Sequence, residues 1–123
     1  MAEDHRVNIN RSDKWETLVK KLTAQPLMGK KSPIFRTIKE LMCFAAFLGY
    51  SKGHREPLGE GKKHDIQWMI FENDDSKDFV HLIAVADRKD TEILKEGKHS
   101  ECVKIFEEYA NGGLKLIADA QSR

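Results

Sequence analysis

The sequence predicts a mostly α-helical fold: one small domain over residues 1–123, a bundle of four to five helices with one or two short β-strands. Three observations carry that expectation. Apolar residues recur at helical spacing in several segments, as at Trp15, Leu18, Val19 and Leu22. Alternation with a period of two is confined to one short stretch, Arg6–Asn10. No repeat, low-complexity tract or long linker divides a chain whose length suits a single core.

The elements follow in order. Residues 1–11 are either flexible or hold a short strand, since RVNIN (Arg6–Asn10) places Val7 and Ile9 on one side. The helix containing Trp15 is preceded by Asp13 as a cap, with Glu16 reaching back in a capping box. Pro26 and Gly29 end it, and Lys30 and Lys31 fall in an exposed turn. Ser32-Pro33 reads as a helix start, because proline at the first helical position loses no hydrogen bond. The helix from Pro33 to Leu48 is apolar nearly all round after Glu40. It is expected at the centre, covered by other elements or by a partner subunit, with Gly49 at the left-handed position past its end.

Residues 50–65 form a basic glycine-rich loop with Gly53, Gly59, Gly61 and Pro57. IQWMIFE (Ile66–Glu72) reads either as a short strand or as a turn and a half of helix holding Trp68 and Phe71 on the core. Asn73 to Ser76 is turn and cap material, and Phe79, Leu82, Ile83 and Ala86 mark the next helical face. A short helical piece from Thr91 to Glu96 stops at Gly97. Ser100 is placed to cap the last long helix, whose face is Val103, Phe106, Ala110, Leu114 and Ile117. Gly112-Gly113 lies inside that helix. Two adjacent glycines there cost about 2 kcal/mol relative to alanines, so they mark a break or a close backbone approach.

Composition narrows the function classes. With 40% apolar and 33% charged residues, the chain reads as a soluble globular domain. Its longest apolar run, Met42–Leu48, is far shorter than the roughly 18 residues of a membrane-spanning helix. MAEDHRVNIN has no secretory pattern, so a cytoplasmic protein with no membrane contact is expected. Cys43 and Cys102 belong to no CxxC pair and are expected to be reduced thiols packed as small hydrophobes. Residues 1–65 hold 13 Lys/Arg against 8 Asp/Glu, or +5, and residues 66–123 hold 8 against 12, or −4. That polarity fits either an anion met by the first half or chance along a charged surface.

Enzyme signatures are scarce. GYSKGHR (Gly49–Arg55) lacks the GxxxxGK[ST] spacing that points successive amides at phosphates. His99-Ser100-Glu101-Cys102 has the HxE of zinc deaminases without the PCxxC that completes the ligand set. His81 lies one residue off its helix's apolar face, where a boundary histidine is expected rather than a base. No catalytic residue, metal ligand or cofactor is expected, and the protein is not read as an enzyme.

Two features point instead to binding. Lys52, His54, Arg55, Lys62 and Lys63 could neutralise several phosphates, with Tyr50 available to stack; alternatively Glu56 and Glu60 cancel part of that charge in an ordinary solvated loop. The order strand, helix, helix over residues 5–48 is also that of ribbon-helix-helix regulators. In such a dimer Arg6, Asn8 and Asn10 would face DNA bases, while Val7 and Ile9 would close the dimer core.

FRTIKELMCFAAFLGYSKGHREPL (Phe35–Leu58), the Ile66–Phe71 segment with Trp68, and IFEEYANGGLKLI (Ile105–Ile117) carry a family resemblance. They resemble the Dnd-system-associated protein family, fourth type, with its helix rich in FAA, its G-[YF]-x-x-G-x-R turn and its terminal EYANGGL. The resemblance implies an accessory role beside the machinery that places sulphur in the bacterial DNA backbone, or that restricts DNA lacking it as a defence against phage. It implies DNA or other proteins of that machinery as partners and assigns no catalytic residue. A homo-oligomer, or a protein-only adaptor using the apolar helix and Gly112-Gly113 as its interface, is the alternative.

Overall fold

The computed structural model describes residues 8–24 and 34–121. Strand β1 (Ile9–Ser12) leads through a 3-10 turn (Asp13–Trp15) into α1 (Glu16–Ala24). Helix α2 (Ile38–Ser51), strand β2 (Lys63–Ile66) and the short helix α3 (Trp68–Glu72) follow. Helix α4 (Ser76–Arg88), a 3-10 turn (Thr91–Leu94) and the long helix α5 (His99–Gln121) complete the chain. The expected mostly helical bundle with two short strands is what forms.

The core is one cluster between α2, α4 and α5. Leu41, Met42, Ala45 and Ala46 of α2 meet Val103, Phe106, Ala110 and Leu114 of α5, with Val80, Ile83 and Ala84 closing from α4. Trp68 stacks on Phe71, ring centroids 5.8 Å apart, and Phe71 meets Phe106 edge-on at the same separation. IQWMIFE is therefore both alternatives in part: Ile66 ends a strand, and Trp68 and Phe71 ride a short helix into the core.

Gly112 and Gly113 mark a close approach, not a break. A Cβ on Gly113 would lie 1.8 Å from the carbonyl oxygen of Ala45, and one on Gly112 would lie 1.9 Å from that of His54. Gly49 is the counterpart on α2, where a Cβ would sit 2.1 Å from the carbonyl oxygen of Tyr109. Side-chain-free positions on both helices let their backbones touch.

Several local expectations need correction. Gly49 lies inside α2, and Gly53 is the residue past its end, at φ 65°. The Gly53 N–H bonds the Tyr50 carbonyl at 3.1 Å and the His54 N–H bonds the Gly49 carbonyl at 2.7 Å, the paired closure of a Schellman motif. Helix α2 starts at Ile38, not Pro33: Thr37 accepts from the Glu40 N–H at 3.0 Å, and the Glu40 carboxylate takes the Arg36 N–H at 2.8 Å. The Thr37 cap, with Glu40 reaching back one residue beyond it, fixes the start; Pro26, Gly29, Lys30, Lys31, Ser32 and Pro33 lie outside the described residues. Asp13 and Glu16 do not cap α1. Ser12 caps the 3-10 turn, and both carboxylates are drawn to His64 instead. Ser100 lies within the first turn of α5, which begins at His99. Helix α4 buries Val80, Ile83 and Ala84 and leaves Leu82 61% exposed, so its inward face is rotated from the one expected.

The strand pairing differs from that of a ribbon dimer. Strand β1 runs from Ile9 to Ser12 and pairs antiparallel with β2 of the same chain, Ile9 opposite Ile66 and Ser12 opposite Lys63. One edge of β1 is thereby taken within the chain. Arg6 and Val7 lie outside the described residues. The Asn8 side chain donates to Asp65 at 2.8 Å, and the Asn10 backbone N–H donates to Glu107 at 2.6 Å.

Candidate functional site

The glycine-rich segment is shorter than expected, because Tyr50 and Ser51 belong to α2 and Lys63 onward to β2. What remains is laid along α5 and fastened there. The Arg55 Nε donates to Glu108 at 2.7 Å and its Nη1 to Asp87 at 3.1 Å, tying the segment to α5 and α4 at once. The guanidinium also lies 5.7 Å from the centroid of the Tyr109 ring. Burial works against its charge, but the Glu108 hydrogen bond and the Glu108 and Asp87 carboxylates outweigh that and hold it above its ordinary value. Tyr109 donates its hydroxyl to Asp87 at 2.5 Å and packs edge-on against Tyr50 at 5.5 Å. Burial first, then that carboxylate, pushes the Tyr109 phenol up to about 12.

Asn111 completes the joint. It is 2% exposed in the middle of α5. Its Oδ1 accepts from Trp15 Nε1 at 2.7 Å, and its Nδ2 donates to the Glu56 and Pro57 carbonyls at 3.2 and 3.1 Å. One amide therefore connects the amino-terminal segment, the glycine-rich segment and the long helix. An amide in an otherwise apolar helical face was the sequence signal for it.

The proposed anion contacts have different surroundings. Arg55 is paired with two carboxylates. His54 sits half-buried, 3.7 Å from Glu56. Tyr50 is half-buried, turned toward α4 and α5, so its ring offers no open stacking face. Lys63 bonds the Gly61 carbonyl at 3.2 Å. Lys52 and Lys62 are exposed and form no ion pair among the described residues. His64, beside this set, lies between Asp13 at 2.6 Å and Glu16 at 3.1 Å, one carboxylate to each ring nitrogen. The His64 hydrogen bond holds the Asp13 carboxyl below its usual range.

Two open features lie elsewhere. The first is on α2, where Phe44 and Phe47 are 45% and 54% exposed. They share a stripe with Glu40 and Ser51, a side of the central helix that the other elements of the chain leave open. Phe44 packs against Phe35 at 5.3 Å and Phe47 against Phe79 of α4 at 6.5 Å. Leu82, one turn beyond Phe79, and Ile34 extend the apolar surface.

The second is a cavity of about 360 Å³ lined by Trp68, His81, His99, Ile93 and Cys102. The His99 ring meets Trp68 edge-on at 4.4 Å and lies 6.1 Å from that of His81, whose pKa burial lowers. Among the described residues, no three His, Cys, Asp or Glu side chains are placed to hold a metal ion. Burial raises the Cys43 thiol to about 11, far from a reactive thiolate, and neither cysteine is in a disulfide. No helix among the described residues is long and apolar enough to cross a membrane.

No curated protein and no solved structure matches the chain at a significant level. A family does match, over residues 8–122, so the whole described fold falls within it. The two blocks GYSKGHR and EYANGGL are the two halves of the joint built by Gly49, Gly53 and Arg55 with Glu108, Tyr109, Asn111 and Gly113. The chain belongs to the family described as DNA sulphur modification system-associated protein 4.

Proposed function

We propose that the protein is a non-catalytic accessory component of the DNA sulphur modification system that acts by docking another protein of that system. The observation that carries this reading is the open aromatic stripe of α2. Two phenylalanines stand about half exposed on a helix whose opposite side is core, and Phe35, Phe79 and Leu82 continue the surface. Aromatic side chains concentrate at the desolvated centres of protein interfaces, where each buries a large area at small conformational cost. The reading places the protein in the cytoplasm, a setting in accord with two cysteines that form no disulfide.

Coexpression with the other proteins of the system, followed by purification and light scattering, tests it. A stable complex with one of them supports the reading. A protein that stays monomeric and copurifies with none of them overturns it. A homodimer closed over Phe44 and Phe47 would also overturn it and assign the stripe to self-association.

A second reading, direct contact with DNA, keeps support from Lys52 and Lys62, whose ammonium groups pair with no carboxylate among the described residues. Phosphate contacts of that kind give affinity that falls steeply with salt.

A further inference from the structure

The backbone groups of β2 divide between its two edges. Along an antiparallel pair, residues alternate between those that exchange hydrogen bonds with the partner strand and those whose N–H and C=O point outward. Asn10 lies opposite Asp65, and its N–H points away from β2, to the Glu107 carboxylate of α5 at 2.6 Å. Continuing the register places Asp13 opposite Lys62, and there the N–H does reach across, to the Lys62 carbonyl at 3.0 Å. Both observations fix the same phase. Lys62, His64 and Ile66 turn their backbone groups to β1, whereas Lys63 and Asp65 turn theirs outward. Among the described residues no third strand pairs with β2, and the Lys63 and Asp65 side chains are exposed. Ladder groups left open in this way are a template for another strand.

The side chains of that edge complement themselves. Lys63 and Asp65 lie two apart, so they share one face of the sheet. Neither forms an ion pair among the described residues: Lys63 bonds the Gly61 carbonyl and Asp65 accepts from the neutral Asn8 amide, so both charges stay unbalanced. When two β2 strands meet antiparallel about a two-fold axis through His64, Lys63 of each copy falls opposite Asp65 of the other. These are the residues with outward N–H and C=O groups, so each of the two pairs also exchanges two hydrogen bonds. A slip by one residue brings an outward-facing residue against one turned to β1 and forms no ladder. A slip by two sets Asp65 against Asp65 or Lys63 against Lys63, and like charges directly opposite repel. A lysine on an edge ordinarily blunts it against pairing; here each lysine meets a carboxylate. The two His64 rings meet near the axis on the other face, each already held between Asp13 and Glu16.

We propose that the protein self-associates through β2, two copies joining edge to edge so that their two-stranded sheets become one, in the order β1-β2-β2-β1. The occupant of the edge is a second copy because the charge order along β2 is the complement of itself when reversed. The contact is isologous, so each interaction occurs twice. It is also small, which makes the dimer weak and dependent on concentration. The proposal uses no residue of the aromatic stripe, so it stands or falls separately from protein docking.

Sedimentation velocity of the full chain from about 10 µM to about 1 mM tests it, the range in which a contact of this size assembles. The weight-average mass should rise toward that of a dimer. In amide exchange followed by NMR, the Lys63 and Asp65 N–H groups should slow about tenfold over the same range, while those of His64 and Ile66 stay equally protected throughout. Lys63→Asp sets carboxylates opposite each other in both pairs and should weaken the dimer about tenfold. Adding Asp65→Lys to it exchanges the charges, rebuilds both pairs and should restore affinity to within about threefold. Asp65→Pro removes an outward N–H that β1 does not use, so the dimer should be lost with the melting temperature nearly unchanged. A mass that stays monomeric at the highest concentration overturns the proposal and leaves protein docking untouched. A dimer with the Lys63 and Asp65 amides unprotected, a dimer indifferent to Lys63→Asp, or charges exchanged without recovery overturns it as well. Protection of those amides only when the copurifying protein is added assigns the edge to a foreign strand and overturns self-association. A dimer lost with Phe47→Glu but kept with Asp65→Pro assigns self-association to the aromatic stripe and overturns both readings.

Discussion

Gly113→Ala tests whether α2 and α5 are held in backbone contact. An alanine Cβ would lie 1.8 Å from the Ala45 carbonyl oxygen, 2.5 Å from its carbon and 2.9 Å from its Cα. Because Cβ atoms do not approach within 3.0 Å of such atoms, the helices must separate by about 1.2 Å at that point. The obstacle is the backbone of a buried helix, which has no rotamer to turn aside. Overpacking of this kind costs about 3 kcal/mol, the upper end of its usual range. Alanine returns about 1 kcal/mol of helix propensity, leaving a net loss of about 2 kcal/mol. For a domain of this size that lowers the melting temperature by roughly 8 °C. Gly49→Ala should act similarly, since its Cβ would meet the Tyr109 carbonyl oxygen at 2.1 Å and the Gly113 nitrogen at 3.1 Å. Once one alanine has parted the helices the other costs less, so the double variant should lose less than the sum of the two. Differential scanning calorimetry reads all three. A Gly113→Ala protein that melts at or above the wild-type temperature refutes the contact.

Glu107 gives a pH signature. Burial raises its carboxyl to about 7 from an ordinary 4.5, although the Asn10 N–H favours the charged form. Its contribution to stability is therefore complete below about pH 4.5 and is lost as pH rises through about 7, a change of up to about 3 kcal/mol. Glu107→Gln should flatten the decline in melting temperature between pH 5 and 8; parallel curves for variant and wild type would count against it. Asn111→Leu strands the Trp15 N–H and two carbonyls and should cost about 3 kcal/mol in urea unfolding, whereas a loss below about 1 kcal/mol would show the amide to be dispensable. In a DNA titration across a salt series, changing Lys52, Lys62 and Lys63 to Glu should leave affinity nearly unchanged. A collapse of binding at low salt would restore the loop as a nucleic-acid contact.

What the sequence disclosed was mostly periodic. The faces of α1 and α5 and the turn at Gly97 follow from local pattern, and Gly112-Gly113 marks a break or a close approach, of which the structure has the second. What it concealed was pairing at a distance. Arg55 reads as a free cation until Glu108 and Asp87 arrive 53 and 32 residues later in the chain. Gly49 reads as a helix end because a glycine before a polar run usually is one; its true cause, the Tyr109 backbone, lies on another helix. Phe44 and Phe47 sit in an apolar run in which burial and exposure look alike, and only the position of α5 decides which side faces water.

The most direct measurement compares two variants for affinity toward the copurifying protein by isothermal titration calorimetry. Phe47→Glu should weaken binding at least tenfold, the size expected when an aromatic anchor is lost. Lys52, Lys62 and Lys63 changed together to Glu should leave it within about twofold. The opposite ranking, with Phe47→Glu binding like wild type and the lysine variant failing, would contradict docking through the aromatic stripe.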